Sequence, residues 1–521
     1  MHSKVQSFAL SVSQVQRLEK YAIETVGIPS VVLMDRAGEA VARSVQRTLG
    51  RTKNVKAAIV CGAGNNGGDG FVIARALTEA GVQVSVYFIG PVEKLSHDAR
   101  LNYDRLLKVG PVPAEITSAR DLPLIDECDC VIDAVFGTGF AGEPEGLAAE
   151  LIEHINLYDT EIVAVDLPSG LNADTGSYIQ TVVAADRTYT LGLPKYGLFV
   201  SPGRELAGLV EVVPIGIPEN VIEKISLHCE LIDDELVEEL LPERRPDGHK
   251  GDFGKLLILA GSTGYTGAAA LTSLAAARSG CGLIKLGTPS SLQPLMAEKL
   301  TEVMPLPLPD VGKKGHLALR SLGEIRKLIN QHDAVALGPG LGQHHETLEL
   351  VRRLVPTINK PMVIDADGLN AFEKAHASLI DDNRGFPLVL TPHPGEFARL
   401  TGREVPTDIH ARIDLVSSRS REMKAVIVLK GSPTLIGTPS GGCYLNPTGN
   451  SGMARGGSGD VLTGMIGSFL AQGCKPLEAA IISVYLHGIA GDFAADTLSE
   501  RAMLAGDIIA FLPAAFKFVE D

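Results

Sequence analysis

The sequence predicts an α/β protein of two domains, each with a mostly parallel sheet between two layers of helices. Short apolar runs rich in β-branched residues alternate with helical patterns, which is typical of buried parallel strands. A charged, proline-containing stretch interrupts this alternation once, between residues 221 and 245. A chain of 521 residues is also too long for one hydrophobic core. We therefore expect domains at residues 1–220 and 246–521, joined by a linker at 221–245.

Composition limits the classes of function. The formal net charge of −15 argues against a nucleic-acid partner, because a phosphate backbone requires a basic face. The seven cysteines include no C-x-x-C pair, so we expect buried thiols, no zinc site and a reducing, cytoplasmic location. The N-terminus lacks a basic region followed by an apolar block, and no run of about 18 apolar residues occurs. We therefore expect neither a signal peptide nor a membrane span.

In the first half, Ser13 is expected to cap a helix that carries Val15 and Leu18, and a second helix at about 32–49 follows Pro29. Apolar runs then predict the strands of a parallel sheet, with ligands at their carboxyl ends. These strands are expected at residues 55–61, 82–89, 130–136, 161–166, 186–191 and 209–215.

The first predicted strand is followed by Gly62–Gly70, which contains a formal G-x-G-x-x-G. Two features count against a standard dinucleotide fingerprint: Asp69 would face the pyrophosphate, and the second strand ends without an acidic residue for the ribose. The segment is better interpreted as a substrate or anion cradle with Asn65, Asn66 and Asp69 as side-chain ligands. A glycine-rich turn without chemical consequence is the alternative.

Two later strands end in carboxylates, within the segments Asp133–Gly139 and Asp166–Gly170. The strand ends together offer amide, carboxylate and hydroxyl oxygens, which suit a hard cation rather than zinc. Spacing alone does not distinguish potassium from magnesium. For a single aspartate, capping just past a strand would be the better interpretation; for two that converge on the glycine segment, a site is favoured.

Together, Asn65–Gly70, Asp133–Gly139, Asp166–Gly170 and Leu193–Lys195 resemble the NAD(P)H-hydrate epimerase domain, the YjeF N-terminal family, over about residues 10–220. The resemblance implies a Rossmann-like fold, inversion of the 6-hydroxyl stereocentre of hydrated nicotinamide nucleotides, and bound potassium. Lys195 lies near the site in that family, but no role is assigned to it.

The resemblance also implies residue roles for this first site. Asp166 would be the acid/base group. The implied potassium ligands are Asn66, Asp133 and Ser169. The implied substrate-binding residues are Asn65, Asn66, Gly67, Gly68, Asp69, Gly137, Thr138, Gly139, Phe140, Ala141 and Gly142.

The second half repeats the α/β alternation. Helices are expected at 266–279, at 344–356 and from Pro476, and a β-hairpin near 433–446. The predicted strands are 255–261, 282–287, 333–338, 361–366, 387–391 and 425–430. Five strand ends carry glycine-rich or polar motifs, which argues for one large cleft that holds a nucleotide and a second substrate. These motifs are Gly261–Gly264, Gly338–Gly342, Asp365–Asn370, Thr391–Glu396 and Lys430–Thr434.

The segment Met453–Gly464 combines four glycines with Ser458 and Asp460 and leads directly into an apolar helical pattern. Backbone N–H groups at a helix start favour an anion. Asp460 fits there as a base that takes a proton from a hydroxyl attacking a bound phosphoryl group. An aspartate N-cap on an ordinary helix is the alternative. No Walker sequence occurs, so this is not a P-loop protein.

These motifs resemble the ribokinase-like fold and, more narrowly, the ADP- or ATP-dependent NAD(P)H-hydrate dehydratase domain, over about residues 245–515. The resemblance implies phosphorylation of the 6-hydroxyl with Asp460 as base, followed by expulsion of phosphate. Ala268, Gly340 and His393 would contact the hydrate. The implied nucleotide-binding residues are Lys430, Gly431, Ser432, Pro433, Thr434 and Gly459.

Magnesium is expected with ADP or ATP in the second domain. Asp365, Asp367 and Glu396 are candidate ligands, although a supporting structural role fits them equally well. His393 could also be a hydrogen-bonded histidine that fixes a proline turn.

The whole chain is therefore interpreted as a nicotinamide-nucleotide repair enzyme that acts on small molecules and forms a homo-oligomer. One rival is a ribokinase-like small-molecule kinase fused to a nucleotide-binding domain. Another is a nucleotide-sensing module without catalysis.

Overall fold

The computed structural model describes residues 8–49, 55–123, 125, 127–140, 142–222, 228–373, 375–380 and 385–520. The chain forms two compact units, Met1–Glu230 and Leu231–Asp521, so the division falls inside the stretch expected to be a linker. That stretch also contains a helix, Asp234–Leu240.

The first unit is built on a seven-stranded sheet with the order β3-β2-β1-β4-β5-β6-β7, in which every pairing is parallel. Its strands are β1 (Lys56–Cys61), β2 (Gln83–Ile89), β3 (Ala114–Ile116), β4 (Cys130–Ala134), β5 (Glu161–Val165), β6 (Arg187–Leu191) and β7 (Leu209–Val213). Its helices are α1 (Val12–Glu24), α2 (Ser30–Leu49), α3 (Asn65–Glu79), α4 (His97–Leu106), α5 (Leu147–Ile155), α6 (Gly203–Ala207) and α7 (Glu219–Ile222).

Alternation along β1 divides the core of this unit between the two faces of the sheet. Ala57 and Ile59 belong to one buried cluster, and Ala58 and Val60 belong to another. Successive strand residues point to opposite faces, so a strand that is apolar throughout is covered on both sides. The predicted three-layer α/β/α arrangement is confirmed.

The second unit has a ten-stranded sheet with the order β11-β10-β9-β12-β13-β14-β15-β16-β17-β8. The strands are β8 (Cys229–Leu231), which spans the division between the units, β9 (Lys255–Leu259), β10 (Leu283–Pro289), β11 (Met304–Leu308), β12 (Ala334–Leu337), β13 (Met362–Ile364), β14 (Val389–Leu390), β15 (Val426–Leu429), β16 (Thr434–Gly437) and β17 (Cys443–Asn446). Strands β9 to β15 are parallel, and β15, β16 and β17 pair antiparallel. The expected hairpin is therefore β16–β17.

The helices of the second unit complete its layers. They are α8 (Asp234–Leu240), α9 (Thr266–Arg278), α10 (Gln293–Lys299), α11 (Leu322–Ile329), α12 (His345–Leu354), α13 (Asp367–Asn370), α14 (Pro394–Thr401), α15 (Ile409–Met423), α16 (Ser458–Ala471), α17 (Pro476–Leu498) and α18 (Ala505–Glu520). By length and composition alone, α17 would be long and apolar enough to cross a membrane, with a mean hydropathy of 1.2. However, 72% of that apolar window is buried inside the protein, so α17 has the character of a core helix.

One local prediction was wrong, and three short strands were not predicted. The N-cap of α1 is Ser11 rather than Ser13, and Ser11 forms a capping box with Gln14. Ser13 is instead the second residue of the helix. The sequence also did not predict the short strands β3, β8 and β11, because three to five residues with an edge or proline-rich pattern give little periodic signal.

Candidate functional sites

In the first unit, four polar segments gather at one edge of the sheet. Gly62–Gly64, Asp133–Gly139, Asp166–Gly170 and Leu193–Lys195 lie at or follow the ends of β1, β4, β5 and β6. These strands are consecutive in the sheet and parallel, so their carboxyl ends lie side by side.

The glycine segment after β1 is mostly helix rather than loop, because α3 begins at Asn65. The glycines allow α3 to lie close to the sheet: a Cβ at Gly67 would lie 1.8 Å from the carbonyl oxygen of Gly62. One at Gly70 would lie 2.6 Å from Cys61 Sγ. Gly67 and Gly70 are thus required for packing. Asn65 is exposed and accepts a hydrogen bond from Ser96 Oγ at 2.7 Å.

Asp133 and Ser169 form a fully buried pair. Ser169 Oγ donates to Asp133 Oδ1 at 2.6 Å, and the Ser169 N–H donates to Asp133 Oδ2 at 2.8 Å. The same Oγ accepts the Phe136 N–H at 2.8 Å. Burial raises the pKa of Asp133 to about 6, although the hydrogen bonds from Ser169 and Val135 oppose the shift. An anionic Asp133 therefore favours a positive neighbour.

Asn66 is 8% exposed, and its Nδ2 is buried without a hydrogen-bond partner. A Cβ at Gly137 would lie 3.1 Å from Asn66 Cγ, so the amide lies against the segment that follows β4. A buried amide without a partner is rare and needs a reason. Which end of an amide is oxygen is assigned from its surroundings, so this group can present an acceptor to a cation.

Asp166 is held in one orientation by Lys195. The Lys195 ammonium lies 2.5 Å from Asp166 Oδ1, and it also donates to Thr190 Oγ1 at 3.1 Å and to the carbonyl oxygen of Leu191 at 2.7 Å. Lys195 is 1% exposed and Asp166 is 6% exposed. Asp166 has a φ of 70°, a backbone conformation that non-glycine residues rarely adopt and that is found at functional sites.

The segment after β4 extends the site from Asp166. The Thr138 N–H donates to Asp166 Oδ2 at 3.3 Å, so both carboxyl oxygens have partners. Phe140 stacks on Phe136 with ring centroids 4.0 Å apart. A Cβ at Gly139 or Gly142 would meet no atom within 4 Å, so the backbone there faces open space. Ala141, which the resemblance also implied, lies outside the described residues.

Two further carboxylates face this cluster. Burial raises the pKa of Asp69 well above its ordinary value, and repulsion from Asp166 and Glu19 adds to the shift while Lys195 opposes it. Glu19, on α1, has a raised pKa through desolvation and repulsion from Asp166, with Lys195 again opposing. The sequence analysis did not single out Glu19, because the helical pattern of α1 gives no sign that it faces the strand ends.

In the second unit, five polar segments line one edge of the sheet. They follow β9, β12, β13, β14 and β15, which are consecutive and parallel. The expected convergence of the five motifs is therefore confirmed.

Helix α16 begins beside these strand ends. Its N-cap is Gly457, which has a φ of 101°, and Asp460 lies in the first turn. Within the described part of the chain, no side chain donates a hydrogen bond to the Asp460 carboxyl, and the residue is half-buried. Burial raises its pKa to about 7, with repulsion from Asp365 adding to the shift and Lys430 opposing it.

Lys430 lies among three carboxylates, those of Asp365, Glu396 and Asp460. Its Nζ lies 2.8 Å from Asp365 Oδ1 and 3.8 Å from Glu396 Oε2. Burial alone would lower its pKa, but Asp365, Glu396 and Asp460 outweigh burial and raise it. A Cβ at Gly459 would lie 3.1 Å from Nζ, so the ammonium lies directly beside the start of α16.

The candidate magnesium ligands are largely engaged in protein contacts. Asp365 is 1% exposed, and its Oδ2 accepts from Thr463 Oγ1 at 2.7 Å. Asp367 Oδ2 accepts the Gly342 N–H at 2.8 Å. Among the residues that the structure describes, no group of three His, Cys, Asp or Glu side chains could hold a metal ion. The structural alternative is thus favoured for Asp365.

His393 and Glu396 form the cap of α14. His393 Nδ1 accepts the Gly395 N–H at 3.1 Å, and Glu396 Oε2 accepts the His393 N–H at 2.9 Å. The turn-fixing role is therefore present. The His393 side chain is also 50% exposed, so its ring remains accessible to a ligand.

Two implied hydrate contacts lie next to one another. A Cβ at Gly340 would lie 2.9 Å from Ala268 Cβ and 2.8 Å from Tyr265 Cβ. The structure thereby brings the segment after β12 onto the start of α9.

The segment Lys430–Thr434 connects β15 to β16. Its carbonyl groups are held by Arg412, which donates to the oxygen of Pro433 at 2.8 Å and to that of Ser432 at 3.4 Å. The Ser432–Pro433 peptide bond is cis. These contacts fix the segment expected to bind the nucleotide.

A buried histidine lies beneath the glycine turn of α16. His487 is 8% exposed, and its Nε2 lies 3.0 Å from the Ser458 carbonyl oxygen. Burial lowers its pKa to about 4, so the neutral ring donates this hydrogen bond and braces the helix start. Sequence analysis missed His487 because it lies in the middle of an apolar helix, where histidine carries no motif.

Two family models match the two halves of the chain. A family model described as YjeF-related protein N-terminus matches residues 30–197, and one described as NAD(P)H-hydrate dehydratase matches residues 256–514. An ADP/ATP-dependent NAD(P)H-hydrate dehydratase from Bacillus subtilis, co-crystallised with ATP/Mg2+, is 36% identical; the match covers 56% of this chain and 98% of that one, with a TM-score of 0.47.

Relatives that are similar over nearly the whole chain include bifunctional NAD(P)H-hydrate repair enzymes Nnr. The Moorella thermoacetica protein is 41% identical over 99% of this chain and 97% of its own. The Thermofilum pendens protein is 39% identical over 98% and 96%, and the Escherichia coli protein is 34% identical over 96% and 92%. The chain therefore belongs to the family of bifunctional NAD(P)H-hydrate repair enzymes, which join an epimerase and a dehydratase in one polypeptide.

Proposed function

We propose that the second unit dehydrates the S form of NAD(P)H hydrate with Asp460 as the catalytic base. One observation supports this role above all: a half-buried carboxyl to which no described side chain donates, with a pKa of about 7, stands in the first turn of α16. A base of this pKa is well matched to neutral pH. Asp460 takes the proton of the 6-hydroxyl as that oxygen attacks the terminal phosphoryl group of ADP or ATP.

The start of α16 binds the phosphoryl group. The N–H groups after Gly457 have no acceptor inside the helix, so they stabilise charge that develops on the phosphoryl oxygens. Lys430 adds a cation beside Gly459. Once the 6-hydroxyl is phosphorylated, the lone pair of the ring nitrogen expels phosphate, and loss of a proton restores the dihydropyridine.

Magnesium fits the second unit as a companion of the nucleotide. It would neutralise phosphate charge when bound. Asp365 and Asp367 already accept hydrogen bonds from protein donors, so the chain supplies few free oxygens. This suits an ion that keeps several waters and binds mainly through phosphates.

A product assay tests this proposal. Purified enzyme, S-form hydrate, magnesium and ADP or ATP should yield the ultraviolet-absorbing dihydronicotinamide together with inorganic phosphate. A simple kinase of the same fold would instead leave a stable phosphate ester and no absorbance. Accumulation of that ester would overturn the dehydratase assignment.

We propose that the first unit interconverts the R and S hydrates with Asp166 as an acid/base group. The support is its fixed carboxylate, held by Lys195 at 2.5 Å at the strand ends. Segments 65–69 and 137–142 would line the substrate. The hydrate loses and regains its hydroxyl through a ring-opened or iminium species, so positioned proton transfer accelerates inversion.

Potassium is proposed at Asn66, Asp133 and Ser169. The fit is supported by the Asn66 amide, whose Nδ2 is buried without a described partner, and by the oxygen-rich donor set. The ion would neutralise Asp133 and order the strand ends. A thermal melt in potassium, compared with sodium or choline at equal ionic strength, should show a higher Tm for the wild type. Asn66→Leu should abolish that difference, and an equal response in both proteins would argue against this site.

Two broader properties are also proposed. None of the seven cysteines, all of which lie in the described residues, forms a disulfide, which supports a reducing location such as the cytoplasm. We also propose that the chain forms a homo-oligomer, and light scattering of the purified protein would test it.

A further inference from the structure

The N-terminal helix α1 is fastened beside the Lys195 strand end of the first unit. The Leu10 N–H donates to the Pro194 carbonyl at 2.8 Å, and the Tyr196 N–H donates to the Leu10 carbonyl at 3.2 Å. Leu10 and Lys195 therefore form a parallel β-bridge. The Val12 N–H also donates to Asp174 Oδ1 at 2.8 Å. This arrangement fixes where α1 begins.

The apolar face of α1 then packs onto the same segment. Val15 and Leu18 belong to a buried cluster with Leu10 and Leu193, two residues before Lys195. Glu19 follows Leu18 and lies one helical turn after Val15, so it lies at the edge of the packed face. It is exposed, which leaves its carboxyl accessible to a ligand.

The charges that face Glu19 come from three different elements. Asp166 stands at the end of β5, Lys195 follows β6, and Asp69 lies on α3. Glu19 interacts electrostatically with all three. Asp166, Asp69 and Glu19 thus lie near one ammonium, and Lys195 donates to Asp166 at 2.5 Å.

We propose that Glu19 is a second catalytic carboxyl of the epimerase site, the proton donor that complements Asp166. The proposal rests on the epimerase function assigned above to the first unit. Lys195 donates to Asp166, whereas Glu19 is the exposed carboxyl of the group and is placed to give its proton to a substrate. The raised pKa of Glu19 supports this division. Two carboxyl groups in different environments are a recurrent way to divide acid and base roles.

The reaction balances with these two groups. Glu19 donates its proton to the 6-hydroxyl oxygen, the C–O bond breaks with its electron pair going to oxygen, and water leaves while the ring nitrogen forms an iminium. A second water then adds to the opposite face. Its proton goes to Asp166, and the iminium electron pair returns to nitrogen. Proton transfer through solvent from Asp166 to Glu19 restores the starting state.

Other nearby groups are less suited to donate. The three N–H bonds of the Lys195 ammonium are all used, by Asp166, Thr190 and the Leu191 carbonyl. Asp69 is 7% exposed and lies within α3. Glu19 is the exposed carboxyl of the three.

The test uses the full-length enzyme with Glu19→Gln and Glu19→Ala, and Glu24→Gln as the matched control on the same helix. Epimerisation is followed from R-form hydrate, and dehydration from S-form hydrate with ATP. We expect Glu19→Gln to lower kcat for epimerisation by about 100-fold with little change in KM. The control should retain wild-type rates, and all three variants should keep wild-type dehydration.

Two further readouts separate proton donation from a structural role. In H2(18)O, wild-type enzyme should place solvent oxygen in the recovered hydrate at the rate of epimerisation, and Glu19→Gln should slow both equally. Acetate or formate should partly restore Glu19→Ala. Wild-type rates in Glu19→Gln, or a loss that small acids do not restore and that appears only in KM, would overturn the proposal. Absence of epimerisation in the wild type would instead reject the epimerase assignment itself.

Discussion

The two units place one aspartate each at the carboxyl ends of a parallel sheet, but they treat it in opposite ways. Asp166 is clamped by Lys195 at 2.5 Å and by the Thr138 N–H at 3.3 Å. Asp460 has no such donor among the described side chains, because Lys430 lies 2.8 Å from Asp365 instead. The difference shows that a lysine near a carboxylate can serve two purposes: it either fixes the catalytic carboxylate or balances its neighbours and leaves it free.

The largest expected effect comes from replacing the free carboxylate. Asp460→Asn should lower the rate of dehydration by about three orders of magnitude, because an amide cannot take the hydroxyl proton. Nucleotide affinity, measured by calorimetry, should be largely kept. Epimerisation should stay at the wild-type rate, and a parallel loss of both activities would contradict the separation of the two sites.

Replacing the clamped carboxylate is the reciprocal change. Asp166→Asn should lower epimerisation by at least about 100-fold while dehydration of pure S-form hydrate is spared. The assay compares phosphate release from S-form hydrate with release from an R-form preparation. If R-form hydrate were still consumed at the wild-type rate, Asp166 would not be the acid/base group.

The pH dependence of dehydration sharpens the comparison further. Since the base must be ionised and the pKa of Asp460 is about 7, kcat should fall about tenfold per pH unit below that value and level off above it. Lys430→Met should move the acidic fall of the pH–kcat profile to higher pH, because Lys430 lowers the pKa of Asp460. An acidic fall near the ordinary aspartate pKa would show that another group supplies the base.

The smallest effect concerns stability. The pKa of Asp460 rises from 3.8 to about 7 on folding, so the folded state holds its proton more tightly and stability falls as pH rises between these values. Asp460→Asn removes this penalty. The Tm of this variant should therefore exceed that of the wild type more at pH 8 than at pH 5. Calorimetry of the transition in which the second unit unfolds would measure it. An equal difference at both pH values would mean that Asp460 is not desolvated.

Much of the architecture could be predicted because apolar strand runs and strand-end motifs are local signals. The six parallel strands expected in the first half all occur, and the five motif-bearing ends of the second half lie on consecutive strands. Local patterns gave a wrong expectation where the same residues suit either a loop or a helix. Asn65–Gly70 reads as a loop because glycine disfavours helices, but Gly67 and Gly70 are required by the closeness of α3 to β1.

The long-range side-chain contacts that hold the site residues in place could not be predicted from the sequence. Lys195 pairs with Asp166 across 29 positions and Thr463 with Asp365 across 98, and nothing in the spacing of one chain encodes such pairings. Site roles drawn from the resemblance remain predictions until variants are measured. The structure adds partners to these residues. Lys195 holds Asp166, His393 caps α14, and His487 donates to the Ser458 carbonyl at the start of α16.

The backbone of Asp166 has a consequence for mutational scanning. At a φ of 70°, asparagine and glycine are tolerated far better than β-branched or bulky side chains. A library at this position should therefore yield abundant, well-folded Asn and Gly proteins that cannot epimerise, alongside Val and Ile proteins that are scarce in the soluble fraction. Expression level and turnover would then report two separate demands on one residue, one geometric and one chemical.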